Sequence, residues 1–253
     1  MRLQFDLGTR RFSASPWFLL LTAAGMALFI ALGRWQWHRA AEKQAMEDAF
    51  ARGTLAITPL GQQPLTDIAR YTQLQVHGRY DGAHQFLLDN LSRDGQAGYE
   101  VLTPLRLDDG RVLMVNRGWL PGGGDRRQLP DVQLDDGPAV TLVGRYDHLP
   151  VTALAMGRAA PAAQASWPKL TSFPTSAELA AALQSAEPAG GGTLQEGQLL
   201  LDADQSRGYR RDWQPASAQF GPARHLSYAI QWWGLAALAA LLFIVMNLKK
   251  RPA

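Results

Sequence analysis

His225-Leu226-Ser227-Tyr228-Ala229-Ile230-Gln231-Trp232-Trp233 opens an uncharged run that lasts to Leu248, and this stretch decides how the chain is read. A run of that length is close to the roughly 20 residues with which a helix crosses a bilayer. Its counterpart lies near the other terminus, where Trp17 to Gly33 is apolar apart from Thr22. The fold class expected is therefore a membrane protein: two transmembrane α-helices, 16–34 and 225–248, flank an extramembrane domain at 35–224, with short tails at 1–15 and 249–253.

A secretory signal peptide competes for the first run, because Arg2, Arg10 and Arg11 precede it and Ala31-Leu32-Gly33 resembles a small-residue cleavage site. The length of the run and the aromatic belt of Trp35 and Trp37 beyond it favour an uncleaved anchor. Two spans put both tails on one side of the membrane. Lys249, Lys250 and Arg251 draw that side toward the cytoplasm, whereas Arg34, Arg39, Lys43, Arg210, Arg211 and Arg224 on the domain side blunt the bias. We expect cytoplasmic tails and a translocated domain.

The chain has no cysteine, which excludes disulfides, thiolate metal sites, CxxC redox chemistry and covalent c-type haem attachment. The net charge is only +3 and the arginines are spread along the chain, so no basic stripe suggests nucleic acid as a partner.

From Trp35 to about Arg52 strong helix formers follow one another without proline or glycine, so the first helix should run on beyond the lipid until Gly53 releases it. Strands are expected at 71–80, 84–88, 98–107, 111–119, 139–146 and 197–202, which gives a mainly β domain, barrel- or sandwich-like, with a small helical insertion. Leu107-Asp108-Asp109-Gly110-Arg111 carries the Asp-Gly signal of a tight hairpin. Gly78-Arg79-Tyr80-Asp81 recurs as Gly144-Arg145-Tyr146-Asp147, a repeat that chance or structural equivalence would both produce, with similar flanking alternation favouring equivalence. Thr175-Ser176-Ala177-Glu178 fits a capping box at the start of a helix ending near Ser185. Pro121 to Gly124 and Ala189 to Gly192 read as flexible connectors, since no lysine-serine or lysine-threonine pair follows to make a phosphate loop.

Ser166-Trp167-Pro168-Lys169 spells the S-x-x-K of serine acyl-transferases, but proline at its third position opposes the helical turn that chemistry needs, and no partner motif follows. Enzymatic activity therefore finds no support. In Val115-Asn116-Arg117-Gly118-Trp119-Leu120-Pro121, packing of a buried indole is the ordinary reading; Arg117 could alternatively pair with a carboxylate or propionate.

His225 and Trp232 are seven residues apart, and seven steps of 100° fall about 20° short of two turns, so imidazole and indole share a helix face with Tyr228 on a neighbouring line. Such a stripe suits interfacial residues with wet tips. It equally suits an axial haem ligand beside a flat aromatic surface.

The chain resembles the Surfeit-locus family of cytochrome c oxidase assembly factors. The shared residues are Trp35-Gln36-x-x-Arg39-x-x-x-Lys43, Gly78-x-Tyr80, Gly98-x-x-x-x-Thr103-Pro104, the Val115–Pro121 block, and His225-x-x-Tyr228-Ala229-x-Gln231-Trp232. The resemblance implies a non-enzymatic protein of a bacterial or mitochondrial inner membrane that matures haem-copper oxidase subunit I by holding haem a. It puts the haem-iron ligand at His225 and the second-span tryptophan at Trp232. Arg224, Arg117 and Tyr228 complete the candidate haem-binding set, and haem a synthase is a further candidate partner. The first span starts near Trp17 with no evident transit peptide before it, so a bacterial inner membrane with a periplasmic domain is the expectation. The alternative is a scaffold that stabilises an assembling oxidase subunit without cofactor. Copper delivery fits poorly, because cysteine is missing and the six methionines form no cluster. Segments 153–165 and 185–197 match nothing nameable.

Overall fold

The computed structural model describes residues 3–7, 9–53, 56–123, 128–135, 137–152, 157–187, 192–215 and 220–250. In chain order the elements are β1 (Leu3–Leu7), β2 (Arg10–Ala14), α1 (Pro16–Arg52), β3 (Ile57–Pro59), β4 (Gln73–Tyr80), β5 (Phe86–Arg93), β6 (Gln96–Leu107), β7 (Val112–Pro121), β8 (Val140–Asp147), β9 (Lys169–Thr171), α2 (Ser176–Ala186), β10 (Gln198–Leu201), α3 (Pro222–Asn247) and β11 (Leu248–Lys250). The chain divides into two compact units, Met1–Asp48 with Gln214–Ala253, and Ala49–Trp213.

In the second unit, β4, β8, β10, β7 and β6 neighbour one another in that order, and β6 returns to β4 to close a five-stranded barrel. Closure removes free edges, which explains how so short a set of strands makes a stable sheet. All pairs in the ring are antiparallel except β10 with β7. The barrel is filled by residues at alternate strand positions, among them Leu74, Val76 and Tyr80 of β4, Leu113 and Val115 of β7, and Leu199 and Leu201 of β10. β7 is buried on both faces, for Met114 points the other way into a second cluster with Phe86, Leu88, Leu102 and Leu179 of α2.

The twelve residues of β6 change partner midway. Gln96 to Leu102 pair with β5, and Leu105 to Leu107 pair with β4. Pro104 stands in the gap between these two ladders, where its missing N–H breaks no strand pair, while its carbonyl accepts from Asp81 N at 2.8 Å. The repeated tetrapeptide closes two neighbouring antiparallel strands, with Gly78 opposite Val140 and Gly144 opposite Leu74. A Cβ at Gly78 would lie 2.4 Å from the Arg106 carbonyl and one at Gly144 2.5 Å from that of Leu200. Both copies thus use glycine for a close strand approach and then bury a tyrosine in the same core, so they are structurally equivalent.

Several boundaries match the sequence reading. The hairpin closes through Gly110 N to Leu107 O at 3.0 Å with Gly110 at φ +85°, and Thr175 and Glu178 form a complete capping box on α2. The Gly118-Trp119 corner is a packing device: Gly118 has φ +108°, and Gly98 lacks the Cβ that would meet the Trp119 ring at 2.5 Å. The strand expected at 84–88 instead starts at Phe86 and continues past an irregularity between Leu88 and Leu91. Of the glycine connectors, Gly124 and residues 189–191 lie outside the described residues, as do 153–156 and 188–191 of the two unassigned segments.

In the first unit, α1 and α3 are long and apolar enough, by length and composition, to cross a membrane. At 37 residues α1 is about 55 Å long, well beyond a bilayer's hydrocarbon core. It ends at Arg52, as the run of helix formers requires. The tail segments carry structure of their own: β1, β2 and β11 form a three-stranded antiparallel sheet. The charged residues there hid an alternating apolar pattern too short to stand out.

Candidate functional site

The less exposed positions of α3 recur as 222, 225, 229, 232, 236, 239, 240, 243 and 247, and those of α1 as far as Ala40 as 18, 22, 25, 26, 29, 32, 33, 36 and 40. Steps of three and four are the signature of a narrow seam along each helix. Small residues let the backbones approach: Gly33, Ala40, Ala229 and Ala236 are buried. A Cβ on Gly33 would lie 2.3 Å from the Trp233 indole nitrogen, so this glycine is the slot into which that ring fits. Aromatic pairs fill the remainder. Trp232 stacks on Phe29 with centroids 5.8 Å apart, Trp233 tilts against Trp37 at 5.9 Å, and Phe243 meets both Phe12 and Phe18.

His225 lies at the N-terminal end of the α3 seam. Its Nδ1 is 2.8 Å from Oε1 of Gln36 on α1, a cross-helix contact between residues 189 positions apart in sequence. Because the amide oxygen accepts, Nδ1 is the donor in this contact, and in a neutral ring the lone pair falls to Nε2. A second nitrogen so prepared is what a metal-ligating imidazole needs, since the partner of one ring nitrogen fixes the tautomer and orientation of the other. The ring is half-buried, which leaves an edge accessible from outside the seam.

The stripe inferred from spacing holds for two of its three members. His225 and Trp232 face the seam, whereas Tyr228 is 43% exposed and points away. The seam advances by four and then three residues, so position 229, an alanine, takes the interior place that the spacing argument assigned near Tyr228. Arg224 is exposed, and its guanidinium lies over the Phe220 ring at 4.8 Å. Gln36 appears in the sequence as part of the block after the first helix, but nothing local marks it as the partner of His225.

Arg117 belongs to the other unit. It is buried in the barrel wall, where Nη1 donates to Gln85 Oε1 at 2.9 Å, Nε donates to the Arg207 carbonyl at 2.7 Å, and the guanidinium faces the Tyr209 ring at 5.1 Å. Burial pulls its pKa below the ordinary arginine value. Its described donors are thus committed to protein groups. Burial likewise pushes the hydroxyl of Tyr80 up to about 12.

Two other clusters carry polar chemistry. Asp81, His84 and Glu187 could converge on a metal, but Arg106 already donates to both carboxylates, at 2.8 Å to Asp81 and 2.5 Å to Glu187, and supplies the positive charge. Lys169 of the S-x-x-K tetrapeptide spends its ammonium on the carbonyls of Ala162, Ala163 and Ala165, at 2.6 to 3.0 Å. A lysine held this way is poorly placed to take a proton from Ser166.

The model of the SURF1 family matches residues 23–237. Among curated proteins, Surfeit locus protein 1 of Takifugu rubripes is 28% identical over 124 residues, covering 42% of this chain and 50% of the relative. A SURF1-like protein of Dictyostelium discoideum is 29% identical over 99 residues, covering 35% of this chain and 37% of the relative. The matched part of the chain spans half or less of the length of these curated relatives.

Proposed function

This chain belongs to the SURF1 family, and from that premise we propose that it is a two-span membrane protein that assists assembly of a haem-copper oxidase by holding a-type haem at His225. The observation that carries the reading is the His225–Gln36 contact, which leaves Nε2 as the lone-pair nitrogen at one end of an otherwise apolar helix seam. The donor set fits the group: one oriented imidazole for iron, the indole of Trp232 on the same helix face, and the exposed Arg224 beside it for a propionate. When bound, the haem supplies only its iron as acceptor for that nitrogen. The chain's own part is to orient the ring through Gln36, to present an apolar surface for the isoprenoid tail, and to let go. A single imidazole at a helix end suits reversible custody better than a closed two-histidine cage.

The partners that follow are subunit I of the oxidase as recipient and haem a synthase as a candidate donor. The location that follows is a bacterial inner membrane with the β domain in the periplasm. No catalysis is required of the chain. Full-length protein made in cells that synthesise haem a should carry a Soret band, and His225→Ala should abolish or shift it. An unchanged spectrum would refute ligation by His225.

A cofactor-free scaffold is favoured by one fact, that His225 and Trp232 already have protein partners in the seam. It predicts that subunit I co-purifies equally well with the His225→Ala chain and without haem synthesis.

A further inference from the structure

From the small sheet at the ends of the two long helices we infer that β1, β2 and β11 form an amphipathic platform that lies on the membrane and binds anionic phospholipid. The inference rests on the two-span reading proposed above. Strand register sorts the side chains. Phe5 and Leu248 both stand opposite Phe12, which puts these three and Leu3 on one face, with Arg10 and Lys250 at its edge, while Gln4, Ser13, Arg11 and Lys249 occupy the other. The apolar face looks toward the helices, because Phe12 meets the ring of Phe243 on α3 with centroids 5.9 Å apart. Yet Phe5 is 60% exposed and Leu3 42% exposed on that same face. Two large apolar side chains left open at the end of a membrane helix pair are placed to enter the acyl region.

Charge names the class of lipid. Arg10 stands directly opposite Lys250 on the same face as Phe12 and Leu248. Like charges facing each other across strands weaken a sheet, so an anion beside them would stabilise it. Among the described side chains no carboxylate pairs with Arg10 or Lys250. The sheet continues directly into α1 at one side and out of α3 at the other, which sets these cations at headgroup depth. An anionic leaflet attracts each such residue and supplies phosphates at that depth.

The chain has no cysteine, so a single introduced cysteine is a unique labelling site. Full-length Phe5→Cys, Gln4→Cys and Leu21→Cys proteins would be spin-labelled in vesicles of phosphatidylcholine with and without phosphatidylglycerol, and collision with oxygen compared with collision with a water-soluble nickel complex. Leu21, exposed in the first third of the apolar part of α1, reports the span itself. The platform predicts oxygen dominance of several-fold at positions 5 and 21 and nickel dominance at position 4. It also predicts that Arg10→Gln with Lys250→Gln makes the position-5 label shallower only where phosphatidylglycerol is present. Nickel dominance at both 4 and 5, with 21 in lipid, overturns the platform and spares the spans. Nickel dominance at 21 overturns the spans and the platform with them. A label at 5 indifferent to the double substitution overturns the choice of anionic lipid.

Discussion

The barrel and the helix pair treat buried polar groups in opposite ways. In the barrel wall many of them form small networks: Arg117 and Thr103 both donate to Gln85 Oε1, Gln85 donates to the Val132 carbonyl, and, separately, Asn116 bridges Glu100 and Gln198. In the seam, small and aromatic residues do the packing, and the cross-helix polar contact described is that of His225 with Gln36. A polar group with several partners is expensive to disturb, because its loss strands the others away from water. A polar group with one partner, at a half-exposed helix end, can exchange it. By this contrast the Val115–Pro121 block maintains the scaffold, and the His225 contact can be broken without stranding other polar groups.

The sharpest way to break the contrast is Arg117→Ala. Removing a buried guanidinium leaves the Arg207 carbonyl without its donor, halves the donors on Gln85 Oε1 and opens a cavity, for a loss of about 3 kcal/mol. Hydrogen exchange should accelerate through β6 and β7 while amides of α3 keep their protection. Unchanged barrel exchange would show that Arg117 is dispensable to the fold and reopen it as a ligand-binding group. Next comes Gly144→Ala, whose Cβ would press on the Leu200 backbone carbonyl rather than on a mobile side chain. Overpacking of that kind costs about 2 kcal/mol. Gly78→Ala should match it closely, as equivalent positions require, and a large difference between the two in thermal unfolding would break the equivalence.

A smaller effect tests the seam. Gln36→Leu keeps the side-chain volume but removes the acceptor on Nδ1, so the imidazole loses the partner that fixes its tautomer. Loss of such a supporting hydrogen bond lowers metal affinity about tenfold or more. Haem titration of the full-length variant should show that weakening with barrel stability unaltered. Equal affinities would remove Gln36 from the site and leave His225 to orient itself.

How much of this was legible in the sequence follows from the range of each interaction. The capping box, the Asp-Gly hairpin and the extension of α1 to Arg52 are local, and their residues announce them. The closure of the barrel is not local: β10 joins β7 in parallel across 84 positions at Leu200 and Asn116, and no nearby residue encodes that pairing. Three-residue strands such as β3 and β9 are too short to alternate. For the site, a seven-residue spacing was enough to put His225 and Trp232 on one face. It could not choose between Tyr228 and Ala229 for the interior, because that choice depends on where α1 lies. Gln36 escaped for the same reason, since only the packed pair brings it to His225.

The smallest expected effect concerns α2, at the periphery of the barrel unit, and it carries a pH sign. Thr175 caps the helix and Glu178 completes the box; the hydrogen bond from the Thr175 backbone, reinforced by the nearby Arg158, holds the Glu178 carboxyl below its ordinary pKa. A group whose pKa is depressed on folding contributes stability above its unfolded value, near 4.3, and loses it as pH falls through the lower folded value. Acidification should therefore loosen α2, by a modest amount because the carboxylate is largely in water. Thr175→Ala should cost about 1 kcal/mol at neutral pH and flatten the acid dependence of α2 exchange. Leu179 is the test of where that loosening stops: it is fully buried under α2 against Phe86 and Met114, so a frayed first turn should leave the last turn protected. If instead the whole helix opened together on losing its cap, α2 would be held by its end rather than by its packed face.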